Sequence, residues 1–318
     1  MIYDVIIVGG GPIGLACAIE AQKNKLSVLV LEKGTLTNSI YNYPLHMTFF
    51  STAERLTIND IPFTNISPKP GRQEALEYYR NIASYYKVNI KLYEEVLGIK
   101  KPSDFVITTS KNIYEAKNII IATGFYDKPH LLNVKGEDYP LVTHYYKEAH
   151  PYAMQKVVVI GANNSAVDAA LECYRKGADV TMLIRGNEFT SSLKYWVKPD
   201  IENRIKEGSI QAYFNSNIKE ITANSIIFNQ QHQTIEIKTD HILAMTGYEP
   251  NFDFLTNAGI TLGDDEYITP TYNSQTMETN IEGLYLAGVV CGGLKTNVWF
   301  IENSRVHAKQ IITHIQNK

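Results

Sequence analysis

Gly9, Gly11 and Gly14 follow the apolar run YDVIIV, residues 3–8, in G-x-G-x-x-G spacing. Glycines so spaced suit phosphate chemistry. The first makes a tight turn, the second lets backbone approach a pyrophosphate, and the third lets the next helix pack closely on the strand. A helix opening at Pro12 aims its positive N-terminal end at the same point. The next apolar run, residues 27–31, ends on Glu32, 18 residues after Gly14. An acid there holds a ribose hydroxyl pair, and a glycine turn that only packed helix on strand would not need it. Gly9, Gly11, Pro12, Gly14, Glu32 and the adjacent Lys33 are therefore candidate dinucleotide contacts.

A second copy of this unit starts near residue 156, as KVVVIGANNSAVDAALECYRKGADVTMLIR. Gly161, Asn163 and Ala166 stand in the glycine positions, with Asn164 and Ser165 completing the turn. Asparagine in the middle position tolerates positive φ better than most residues. Where the first unit ends on an acid, this one ends on Arg185, 19 residues after Ala166. An arginine there suits a 2′-phosphate and an acid does not, so the second unit reads as an NADPH site. Lys194 lies close enough in sequence to reinforce the charge. Two nucleotide units in one chain point to electrons passing between two cofactors.

The 318 residues are 44% hydrophobic, enough for one large or two ordinary cores. A net charge of −3 gives no electrostatic case for nucleic acid or an anionic membrane. No apolar run approaches the roughly 20 residues of a membrane span. The first residues read as a strand and not as a signal peptide, lacking a basic start and a small-residue cleavage site. Cys17, Cys173 and Cys291 are too far apart to form a disulfide framework or a metal set. A cytoplasmic protein is the expectation, and no metal is expected.

The elements that position these residues alternate strand and helix, which predicts an α/β fold of two Rossmann-like, doubly wound nucleotide-binding domains. Residues 34–50 show no period and follow the ribose acid directly, so they are expected to run along a bound cofactor, with Asn42, His46 and Thr48 as contacts. Residues 71–86 have helical spacing. Strands are expected at residues 88–93, 96–100 (opening on the candidate contact Val96), 105–109, 113–116 and 118–122. The last ends on Thr123-Gly124. Strand-like segments follow from residue 218. Apolar runs ending at Gly247 and Gly288 repeat the same strand-end pattern. A final helix is expected over 297–315, with Ile301, Val306, Ile311 and Ile312 in the core.

In order, these motifs resemble the two-domain flavoprotein reductases of thioredoxin reductase size. The resemblance implies FAD in the first unit. It implies an FAD domain of residues 1–124 and 246–318, with an NADPH domain of 125–245 inserted in it. The strings SIYNYP (39–44), TFFS (48–51), HYYKEAHPY (144–152), NSAVDAALE (164–172), AGV (287–289) and FIEN (300–303) narrow the match. They are similar to the bacillithiol disulfide reductase (YpdA-type) family. That implies reduction of a small-molecule disulfide by NADPH through FAD, in a homodimer or higher oligomer.

Two features depart from the wider pattern. Thioredoxin reductases carry a Cys-x-x-Cys ahead of the second glycine motif, and this chain has none. The usual late Gly-Asp is Gly288-Val289. A third departs from the narrower family, whose members often have cysteine where this chain has Ile13. Cys17, one helical turn on, is the one cysteine placed to take over a catalytic role. Ferredoxin or flavodoxin–NADP reductase-like electron transfer and flavin monooxygenase-like chemistry stay open as alternatives.

Overall fold

The computed structural model describes residues 1–318. It divides into two compact units. One comprises Met1–Asn42, His46–Lys128 and Tyr248–Lys318, and the other Tyr43–Leu45 and Pro129–Gly247.

The first unit is built on a seven-stranded sheet. The strand Ile2–Val8 lies between Val28–Leu31 and Ile113–Ile121, parallel to both. Val5, Ile6 and Ile7 are buried on both faces, as a central parallel strand requires. Ile113–Ile121 is continuous, where the residue pattern predicts two shorter strands. Its far edge is shared: its first half pairs antiparallel with Phe105–Thr109, and Ile119, Ile120 and Ile121 pair parallel with Leu284–Leu286. A strand from the end of the chain thereby joins the sheet that the first residues begin.

The second unit repeats the pattern with five parallel strands, in the order Gln211–Tyr213, Asp179–Leu183, Lys156–Ile160, His241–Ala244 and Val142–Thr143. An antiparallel sheet of Ser216–Ile221, Ser225–Gln230 and Gln233–Lys238 accompanies it. It buries Ile221, Ile226 and Phe228 with Val158, Ile160 and Ile242 of the parallel sheet. Two Rossmann-like α/β units are thus the architecture, as the alternation of apolar runs predicts.

Local expectations fail in three places. The irregular stretch after Glu32 contains a short helix, Asn38–Asn42. The buried Arg72 holds its C-terminal end, donating from Nη2 to Tyr41 O at 2.5 Å and from Nε to Ile40 O at 3.2 Å. The final helix is two helices, Ile301–Ser304 and His307–Gln316. Before them the chain is pinned as a loop, because the Asn303 side chain accepts from Phe300 N and donates to Val298 O. The break after Ser304 turns Val306 outward, 53% exposed, while Ile311 and Ile312 stay buried. The expected strand at residues 88–93 is only Ile90–Lys91.

Asp4 fastens the sheet at the end away from the glycine turn. Its carboxylate accepts from Ser27 N (2.9 Å), Ser27 Oγ (2.7 Å) and Lys117 Nζ (2.9 Å), joining three neighbouring strands. The Lys117 ammonium first, then the Ser27 bonds, hold its carboxyl down at about 2. A lowered acid stabilises the fold above its unfolded pKa, and that contribution fades as pH falls toward the folded value. Since Lys117 is largely exposed, Asp4→Asn is expected to cost about 1 kcal/mol at pH 7, roughly 2 °C in melting temperature. In thermal melts across pH, the gap between the two proteins should close between pH 4 and pH 2.

Candidate functional site

The Ile2–Val8 strand and the helix Pro12–Lys23 meet at the Gly9–Gly14 turn. Gly9 has φ 112°, and a Cβ on it would lie 2.5 Å from Ala122 O. A Cβ on Gly14 would sit 1.9 Å from Gly9 O. These two glycines are required by packing alone. Gly11 is different: a Cβ there would meet nothing within 4 Å. It is also the helix N-cap and offers no side-chain acceptor to the first turn, which Pro12 opens. The first-turn N–H groups therefore face open space beside the middle glycine, a cradle that fits a pyrophosphate.

Glu32 shapes this turn from beneath. Oε2 accepts from Gly10 N at 2.7 Å and Oε1 from Gly34 N at 2.8 Å. Burial raises its pKa, against the lowering effect of those two bonds. Each carboxylate oxygen keeps a further lone pair for a ribose hydroxyl. Val96 is buried at the start of its strand, and Glu94 N donates to Glu32 O at 2.9 Å, which brings that segment alongside. Lys33 pairs with Asp127 at 2.9 Å. Asn42 donates to Asn38 O, while its carbonyl accepts from Tyr126 Oη. The side chains of His46 and Thr48 are exposed, Thr48 bridging Gly71 through backbone. Thr123 and Gly124 follow the Ile113–Ile121 strand, Gly124 with φ 71°. Gly288, after Leu284–Leu286, has φ 85°, and a Cβ on it would come within 3.4 Å of Ile13. Gly9, Thr123 and Gly288 thus all emerge at the carboxyl ends of adjacent parallel strands, where open α/β sheets bind ligands.

In the second unit, Gly161 has φ 134°, and a Cβ there would fall 2.6 Å from Met245 O and 2.9 Å from the Ala166 methyl. Asn163 caps the helix Asn164–Arg175, its Oδ1 accepting from Asn164 N at 2.8 Å. Asn164 clamps the following loop in both directions, donating to Ser192 O at 3.1 Å and accepting from Lys194 N at 2.9 Å. Ser165 is exposed and Ala166 buried. Gly247, with φ 96°, follows the His241–Ala244 strand. Leu183 pairs with Ile160, so Arg185 and Gly161 leave the sheet at the same end. Arg185 is exposed and has no ion pair. Lys194 does not reinforce it as expected: its Nζ sits 2.7 Å from Asp168 Oδ2, which neutralises the charge.

The cysteines correct one expectation. Cys17 is fully buried, and burial, with Glu20 adding to it, pushes its thiol up to about 12. It lies beyond the first helical turn, where the helix end no longer stabilises a thiolate. Cys17 is therefore not a reactive thiol in this structure. Burial likewise pushes Cys173 up to about 12 and raises Cys291. Sequence spacing also gives no hint of His307, whose Nδ1 accepts from Gly288 N at 3.2 Å.

Two separate glycine turns, one closed by an acid and the other by a free arginine, describe a nucleotide-linked redox chain. The family model for pyridine nucleotide-disulphide oxidoreductases matches residues 6–288. The chain belongs to that family. Among its relatives, the bacilliredoxin reductase of Bacillus subtilis (strain 168) is 45% identical over 316 residues, covering 98% of this chain and 97% of the relative. The solved bacillithiol disulfide reductase of Staphylococcus aureus superposes with a TM-score of 0.97 at 42% identity, over 100% of this chain and 99% of that one. The Bacillus cereus enzyme of the same description gives 0.97 at 44%, with the same coverage. As a pyridine nucleotide-disulphide oxidoreductase the chain is an enzyme, and it uses FAD and NADPH.

Two measurements test the assignment of these turns. Glu32→Gln replaces one accepting oxygen with a donor that would face a backbone N–H. FAD affinity, read by titrating the stripped protein, is expected to fall about tenfold, the value of a lost charged hydrogen bond. Arg185→Ala is expected to raise the KM for NADPH by about 10- to 150-fold, from a charge-assisted bond of roughly 1.5–3 kcal/mol. The KM for NADH should hardly move. An unchanged preference for NADPH would place the 2′-phosphate elsewhere.

Proposed function

We propose that this enzyme uses NADPH and FAD to reduce a low-molecular-weight disulfide of the bacillithiol type, without a thiol of its own. The overall reaction converts NADPH, a proton and one disulfide into NADP⁺ and two thiols. Bound FAD supplies a two-electron carrier between the two substrates. We assign FAD to the unit that holds Gly9, Gly11, Gly14 and Glu32, with domain limits of 1–124 and 246–318. NADPH goes to the inserted 125–245 domain with Gly161, Asn163 and Arg185. The names of the Staphylococcus and B. cereus relatives support the substrate class.

The observation that carries the thiol-free reading is the burial of all three cysteines. Thiol–disulfide exchange requires an accessible thiolate. Here Ile13 occupies the position where related chains often carry cysteine, and Cys17 is fully buried, which raises its pKa and disfavours the thiolate. This chemistry fits the cytoplasm, where thiol pools are kept reduced, and we infer a homodimer or higher oligomer by resemblance. A second reading comes from the name of the B. subtilis relative, bacilliredoxin reductase: the acceptor disulfide could be carried on a small protein.

Anaerobic NADPH oxidation with a low-molecular-weight disulfide, a bacilliredoxin mixed disulfide, a ferredoxin, or oxygen separates these readings from electron transfer and monooxygenation. A variant with Cys17, Cys173 and Cys291 all changed to Ala is expected to keep kcat/KM for the disulfide within about threefold, and to take up about two electrons per FAD, not about four. Loss of disulfide turnover in that variant, with reduction of its flavin by NADPH intact, would restore a thiol mechanism.

A further inference from the structure

His307 opens the helix His307–Gln316 and is only 1% exposed. Its Nδ1 lies 3.2 Å from Gly288 N. A backbone N–H can only donate, so Nδ1 is the acceptor, and the ring is neutral with its proton on Nε2. Burial agrees with that state, lowering the imidazole to about 4.

The ring is itself held in place. Trp299 meets it edge to face, with centroids 4.6 Å apart at 74°. The Trp299 indole also lies against Gly292, where a Cβ would come within 3.4 Å of it. Trp299 and His307 together support the two ends of residues 288–292, His307 at Gly288 and Trp299 at Gly292. The other end of this turn is equally fixed: Gly293 has φ 56°, a Cβ on it would strike Tyr267 O at 2.2 Å, and Leu294 N donates to that same oxygen at 2.7 Å.

Gly288 sits against Ile13 in the first turn of the helix after the Gly9–Gly14 turn. It leaves the sheet beside Ile121, which pairs with both Leu286 and Val8. Residues 288–292 therefore form one wall of the crevice at the carboxyl end of the sheet. The next residue, Val289, offers no polar side chain with which to hold a ligand or the turn. Only the backbone of this wall can serve a ligand, so its conformation must be set from behind.

We propose that His307 is a positioning residue for the flavin. Its Nδ1 fixes the Gly288 N–H, and with it the backbone that the 288–292 turn presents to bound FAD. The inference rests on the assignment of FAD to the Gly9–Gly14 turn. It assigns a role in cofactor retention to a residue far from that turn in sequence.

The test strips flavin from the holoenzyme and retitrates it, with melting of each apoprotein followed in parallel. His307→Asn keeps an acceptor at the Nδ1 position. His307→Gln moves the amide to where Nε2 lies, and His307→Leu keeps bulk alone. FAD affinity is expected to drop about tenfold in the Leu and Gln variants, as one backbone donor loses its partner. The Asn variant should return to within about threefold of wild type. Wild-type affinity in the Leu variant overturns the proposal, and so does equal affinity of the Asn and Gln variants, which decides the matter even if Leu does not fold. A wild-type protein that binds no FAD would instead overturn the cofactor assignment beneath it.

Discussion

The contact on which this structure depends is the approach of Gly14 to Gly9. No side chain fits between them, since a Cβ on Gly14 would lie 1.9 Å from the Gly9 carbonyl. That closeness lets the first helix lie directly on the first strand and brings Glu32 under the turn, bonded to Gly10 and Gly34. Buried and acidic, Glu32 would be a liability without those two backbone donors. With them, it is the internal brace of the loop. The opening at Gly11 is then a by-product of packing: two glycines close the joint, and the third is left facing open space.

The two halves of the repeat meet the same demand differently. In the first, an acid from the end of the second strand organises the turn. In the second, the turn organises a more distant loop: Asn163 caps its own helix and Asn164 grips the 192–194 backbone on both sides. Asn164 therefore fixes a loop that runs on from Arg185, while Asp168 removes Lys194 from the local charge. Arg185 is left as an exposed cation at this end of the sheet.

The fold was legible because apolar periodicity and glycine spacing report local demands. The apolar runs at Ile2–Val8, residues 119–121 and Lys156–Ile160 read directly as buried parallel strands. The hidden features depend on partners distant in sequence. Nothing in the spacing around Val306 shows that the helix breaks before it, or that Asn303 pins residues 298–300 as a loop ahead of it. The spacing of Cys17 from the glycine turn looks suitable for chemistry, and only the packing of the helix on the sheet shows it sealed. Lys194 reads as an available cation until Asp168, a helix away, claims it. His307 has no motif, because its partner is a backbone N–H 19 residues earlier, which any residue could supply.

The shared edge of the Ile113–Ile121 strand bears on how the chain is made. Pro129–Gly247 accounts for nearly all of the second unit, so it can fold as soon as it leaves the ribosome. The first unit cannot close then. Until Leu284–Leu286 is synthesised, the backbone of Ile119, Ile120 and Ile121 is an open, apolar edge, the kind of surface that recruits strands from other molecules. The early half of the chain must wait, partly assembled, through the making of everything between. Truncation before Leu284 would therefore do more than remove the last helices: it would leave the nascent sheet without its last parallel strand and open to aggregation.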